Sequence, residues 1–156
     1  MTFNDLLNKV KKENPVTMTI KDKARKTVFV ASYYTEHYPN EEYLKIFFDD
    51  GTILEMMPKT EGLYFCDDER RMIDRDLITD YGEYLNIDNK QYLLDNSDDK
   101  QVLKKIYYGD IDDGEGGCIF SDYGFANEVW SLAVLDDGSI SDAHVRRISL
   151  KDIKIN

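Results

Sequence analysis

Apolar residues recur in two different rhythms along this chain of 156 residues. Between Thr2 and Asn14 the period is helical. Phe3, Leu6, Leu7 and Val10 fall at i, i+3, i+4 and i+7 and form one stripe. Thr2 stands at the cap position, and Asp5, three residues on, completes a short capping box. Asn14-Pro15 stops the helix, because the proline ring pushes the residue before it out of the helical region.

After Pro15 the period shortens to two. Val16, Met18 and Ile20 alternate with Thr17, Thr19 and Lys21, the pattern of a half-buried strand. Residues 26–35, rich in β-branched and aromatic side chains, form a second. Residues 43–48 and 53–57 flank Asp49-Asp50-Gly51-Thr52, a strong hairpin signal. Residues 63–66 add a further strand. Residues 67–82 follow neither period cleanly: Ile73, Leu77 and Tyr81 are four apart, yet Met72-Ile73 and Leu77-Ile78 suit extended chain. Residues 84–87 and 91–94 flank a turn at Asp88-Asn89-Lys90.

Ser97 then reads as the cap of a second helix, with Asp98 and Asp99 well placed for its dipole. Val102, Leu103 and Ile106 would be its buried stripe and Gly109 its end. Strands at 118–120, 128–135 and 143–150, a turn at 136–139 and a tail strand around Ile153 and Ile155 complete the chain. The expected fold is α+β and mostly antiparallel β, with about eight to ten strands in hairpins or a meander. Its helices are the N-terminal one and one further helix near 98–108.

Length suits a single domain over 1–156. The stretch Phe47 to Ile53 echoes Val134 to Ile140, which allows a division into two β-rich lobes, about 15–66 and 83–156. With hydrophobic residues at 42% and aromatics at 12%, the chain can fill a core. No apolar run exceeds four residues, and the N-terminus lacks the features of a secretory signal. The chain therefore reads as cytoplasmic, with no membrane partner.

Charge narrows the partners. The net charge is −11, and residues 60–99 alone carry twelve acidic and four basic groups. Such a field repels nucleic acid and anionic lipid. It suits long-range attraction to a basic protein, as in antidote-like or regulatory modules. The carboxylates expected to face such a partner are Asp67, Asp68, Glu69, Asp74, Asp76 and Asp80. Eleven tyrosines and one tryptophan fit sheet packing or an interface equally, and Trp130, alternating with Leu132 and Val134, reads as a core anchor.

Chemistry-bearing patterns are sparse. Asp110, Asp112, Asp113 and Glu115 in a glycine-rich loop could bind Ca²⁺ or Mg²⁺ through clustered oxygens, and would serve a cation-binding protein or metal-dependent hydrolase. The EF-hand spacing fails, with Gly114 at the third ligand position and Ser121 where the bidentate glutamate belongs. Asp142 and His144 would share one face of a strand, but the only other histidine is His37. Cys66 and Cys118 form no C-x-x-C pair and read as buried hydrophobes. There is no nucleophile elbow, zinc-helix motif or phosphate loop. The expected protein is a non-enzymatic interaction module, without catalytic residues or an organic cofactor.

Overall fold

The computed structural model describes residues 1–67, 72–73, 75–110, 119–134 and 140–156. It is mostly β, with 65% of residues in strands. The N-terminal helix α1 (Phe3–Lys12) forms as its stripe requires. The Asp5 amide donates to Thr2 Oγ1 at 3.1 Å and the Thr2 amide to Asp5 Oδ2 at 2.8 Å. Phe3, Leu6 and Val10 are buried.

The first half of the chain continues as β1 (Thr17–Ile20), β2 (Lys23–Thr35), β3 (Tyr38–Phe48), β4 (Ile53–Met57) and β5 (Gly62–Cys66). Short pieces follow: β6 (Met72–Ile73), β7 (Ile78–Thr79) and two 3-10 turns at 75–77 and 80–82. The second half supplies β8 (Tyr84–Ile87), β9 (Lys90–Tyr108), β10 (Ile119–Phe125), β11 (Glu128–Val134), β12 (Ile140–Ile148) and β13 (Ile153–Ile155).

Eight antiparallel strands close into a barrel in the order β2-β3-β4-β5-β12-β11-β10-β9, and β9 returns to β2. The closing seam pairs Val30 with Tyr108, Tyr33 with Leu103 and Thr35 with Gln101. β1 and β13 extend the sheet from the start of β2, and β8 and β7 extend it from the start of β9.

The expected second helix near 98–108 does not form, and the α+β reading gives way to a β-barrel. Those residues are the latter half of β9. Their amides and carbonyls are needed along the β2 seam, and closing a barrel removes two sheet edges at once. The supposed cap residues serve a bulge instead. Asp98 has φ +51°, and its amide donates to Ser121 Oγ at 3.0 Å. Asp99 is wholly buried and accepts the amides of His37 at 3.0 Å and Lys100 at 2.8 Å. Gly109 ends the strand at φ +82°, so close to β2 that a Cβ there would sit 2.3 Å from the Val28 carbonyl oxygen.

Two apolar layers cover the outer wall. Val30, Leu44, Ile46, Phe48, Leu54, Met56, Leu63 and Phe65 pack beneath α1, β1 and β13. Trp130, Leu132 and Tyr123 pack beneath Leu85 and Ile87 of β8 and against Tyr92 of β9, with Leu77 and Ile78 alongside. Trp130 is thus the core anchor its alternation suggested.

Candidate functional site

Successive residues of a barrel strand point alternately outward and into the lumen. In β3 and β4, Leu44, Ile46, Leu54 and Met56 face the covering layer, which turns Tyr43, Lys45, Phe47 and Glu55 inward. Register adds Phe29, Ala31 and Tyr33 from β2, opposite Phe47, Lys45 and Tyr43. Gln101 and Leu103 join from β9 beside Thr35 and Tyr33. Asp122 of β10, out of step with the outward Tyr123, joins the set opposite Ser131 of β11. Tyr64 of β5 and Arg147 of β12, in register with Glu55, lie on the same face, with the guanidinium 6.0 Å from the Tyr64 ring centroid.

The interior divides by chemistry. Phe29, Ala31, Tyr33 and Tyr43 form an apolar cluster joined by Phe47, Met57 and Leu103. The Tyr33 and Tyr43 rings stack at 6.0 Å, and Phe29 meets Phe47 edge-on at 5.4 Å. Polar groups complete it. Tyr43 Oη donates to Gln101 Oε1 at 2.7 Å, and Lys45 Nζ donates to the same oxygen at 3.3 Å. Lys45 Nζ also lies 3.9 Å from Glu55 Oε1 and over the Tyr33 and Phe47 rings at 5.7 and 5.6 Å.

Enclosure shifts the proton affinities of these groups. Burial raises the Glu55 carboxyl above its ordinary range, with Lys45 pulling the other way. Burial also raises Asp122, to about 7; the Ser131 hydrogen bond opposes the shift, and the charges of Glu55, Asp95 and Asp99 add to it. Burial and the Glu55 and Asp122 charges push the Tyr43 phenol upward. β4 and β10 are opposite staves of the barrel, and the charge of Glu55 acts on Asp122 from across it. Near neutrality the lumen can therefore both hold a charge and exchange a proton.

A second polar cluster lies on the outer wall. His144 stacks on Trp130 with ring centroids 4.1 Å apart, and its Nε2 is 3.6 Å from Glu128 Oε2. Tyr92 Oη donates to Glu128 Oε2 at 2.8 Å, and Arg146 Nε is 3.6 Å from Glu128 Oε1. The Tyr92 hydrogen bond, above all, lowers the Glu128 carboxyl below its usual range. His144 is thereby packed and bonded within the wall. Asp142 is opposite Leu132 in the β11–β12 register.

The carboxylates singled out in the sequence scatter. Asp67 is half-buried and engaged by Lys21 and Arg146. Burial opposes its charge, but those two cations prevail and hold its carboxyl low. Asp76 and Asp80 are exposed, while Asp68, Glu69 and Asp74 lie outside the described residues. Of the glycine-rich loop, Asp110 is exposed, and Asp112, Asp113 and Glu115 lie outside the described residues. Among the described residues no group of three or more His, Cys, Asp or Glu side chains could hold a metal ion. Cys66 is buried and reduced; Cys118 lies outside the described residues. No described helix is long and apolar enough to cross a membrane.

No family model matches the chain, and no curated protein or solved structure matches it either. Any functional reading therefore rests on these residues alone. Tyr33, Tyr43, Lys45, Glu55, Gln101 and Asp122 escaped the sequence reading. The available signal was the near-continuous apolar run Val28 to Tyr34, which marks a strand covered on both faces.

Proposed function

We propose that the chain is a non-enzymatic interaction module that engages a basic protein through the acidic end formed by β7, β8 and the start of β9. One observation carries this reading. Within residues 80–98 the carboxylates of Asp80, Glu83, Asp88, Asp95 and Asp98 are exposed, and none has an ion-pair partner among the described residues. The one basic residue of that stretch, Lys90, is turned toward Glu128 at 3.5 Å. Several carboxylates elsewhere are answered locally, as in Asp50 with Lys23 and Arg25, Glu42 with Lys104, and Glu41 with Lys59. Exposed carboxylates without an ion pair among the described residues are more scattered there, as at Asp22, Glu36 and Glu61.

Exposed like charges gain little within the fold and repel one another, so their use lies in steering a partner. Leu93, more than half exposed between Tyr84 and Gly124, gives the same region an apolar contact. Such a surface fits an antidote-like or regulatory partner role.

The test is affinity capture from the source cell at low salt, followed by association kinetics with the captured protein. A basic partner whose association slows steeply with salt is expected. The triple charge reversal Asp80→Lys, Asp88→Lys, Asp95→Lys should slow association further. A partner whose rates ignore both salt and the reversals refutes the reading.

A further inference from the structure

We propose that the barrel lumen binds a small organic cation, an amine or guanidinium carried on an aromatic or aliphatic body, with Asp122 and Glu55 as its anchors. Three independent features of the interior carry this.

Accessibility is the first. On β3 and β4 the outward row is sealed: Leu44, Ile46, Leu54 and Met56 have no exposed surface. The inward row keeps some, with 12% of the Lys45 side chain and 21% of the Glu55 side chain reachable by solvent. Solvent therefore reaches the enclosed side of the wall beside Lys45 and Glu55, although Phe29, Ala31, Tyr33 and Tyr43 are buried there, and an eight-stranded barrel is wide enough to hold one small ligand.

Charge is the second. Lys45 is already committed to Glu55 and Gln101. Asp122 has the Ser131 hydroxyl and no cation among the described residues, while Glu55, Asp95 and Asp99 all act on it with like charge. Lys45 is thus taken up by Glu55, and the other cation on this face among the described residues, Arg147 of β12, lies over the Tyr64 ring, so Asp122 is left without a cation of its own. An entering anion would meet repulsion from both carboxylates in a low-dielectric setting.

Shape is the third. The polar groups adjoin a wall of Phe29, Tyr33, Phe47, Met57 and Leu103, which would receive an apolar body and offer ring faces to a cationic head. A bare metal ion lacks a ligand set here, since no three acidic, histidine or cysteine groups converge among the described residues. An organic cation uses both halves of the interior.

The experiment compares 2-phenylethylamine with 3-phenylpropionate, which has a similar ring and tail but opposite charge. Melting temperatures of the full chain are recorded at pH 8 against matched sodium chloride, followed by calorimetric titration. The amine should raise the melting temperature and the carboxylate should not, because only a ligand preferring the folded state stabilises it. Asp122→Asn should weaken the amine by roughly 10–100-fold, the loss of one charge-assisted contact. Glu55→Gln should weaken it too, because it frees Lys45 to neutralise Asp122, and this variant carries the test if Asp122→Asn does not fold. Asp88→Asn, on the exterior, should leave amine binding intact. No stabilisation by the amine, equal stabilisation by the carboxylate, or undiminished binding in both lumen variants would each overturn the proposal. None of these outcomes bears on capture of a basic protein at the β7–β9 end.

Discussion

Replacing Asp122 with asparagine tests whether the lumen is as strained electrically as its geometry implies. Asp122 is half-buried, with a carboxyl raised from 3.8 to about 7, chiefly by burial. In the folded chain the proton is held more tightly than in the unfolded one, so folding is favoured wherever Asp122 is protonated. No penalty applies below about pH 3.8; it grows as pH rises and is complete above about 7. At about 1.4 kcal/mol per pH unit, ionised Asp122 costs the fold about 4 kcal/mol. Asparagine keeps the shape and can still bond to Ser131. It should recover roughly 2–4 kcal/mol at about pH 8, or roughly 5–15 °C in melting temperature for a chain of this size. Near about pH 4 the two proteins should be almost equally stable. Urea titrations of both proteins across that range isolate the Asp122 contribution, because every other titrating group is common to them. Parallel stability curves, or a variant less stable than the parent at the alkaline end, would refute an uncompensated carboxylate in the lumen.

Two further outcomes follow from the fold. Gly109→Ala should destabilise by about 2 kcal/mol or more, since φ is +82° and the new Cβ would meet the Val28 carbonyl oxygen at 2.3 Å; an unchanged denaturation midpoint would mean the β2–β9 seam ends differently. Asp50→Asn should flatten the acid limb of the stability curve. Burial opposes the charge of Asp50, but Thr52, Lys23 and Arg25 overcome it and hold its carboxyl at about 2. Its stabilisation is therefore present above about pH 3.8 and fades as pH falls toward 2, a loss the variant should not show when followed by circular dichroism.

What could be read from the chain was local. The spacing of Phe3, Leu6, Leu7 and Val10, with Thr2 and Asp5 beside it, contains all the information α1 needs. The β3–β4 hairpin likewise carries its own turn, with Gly51 at φ +85° and the Gly51 amide bonded to the Phe48 carbonyl. Residues 97–108 failed because their local signals belong to two structures at once. Ser97, Asp98 and Asp99 suit a helix start, yet they serve the bulge against β10 and the turn after β2. Val102, Leu103 and Ile106 are spaced for a helix, yet the backbone bonds that decide the matter come from β2, about seventy residues away.

The lumen was hidden for a related reason. In a sheet with one wet face, alternation assigns Leu44, Ile46 and Phe48 to the core, and Tyr43, Lys45 and Phe47 to solvent. The first half of that inference holds, since the apolar row does form the main core. It lies outside the barrel, however, because α1, β1 and β13 fold back over the wall. The row that alternation gives to water is the one the barrel encloses, and so Lys45 and Glu55, ordinary surface residues by sequence, end up facing Tyr43 and Gln101. A chain whose covering layer satisfies the hydrophobic demand from outside leaves its interior free to be polar. That freedom lets this small barrel turn Lys45, Glu55 and Asp122 inward without giving up its core.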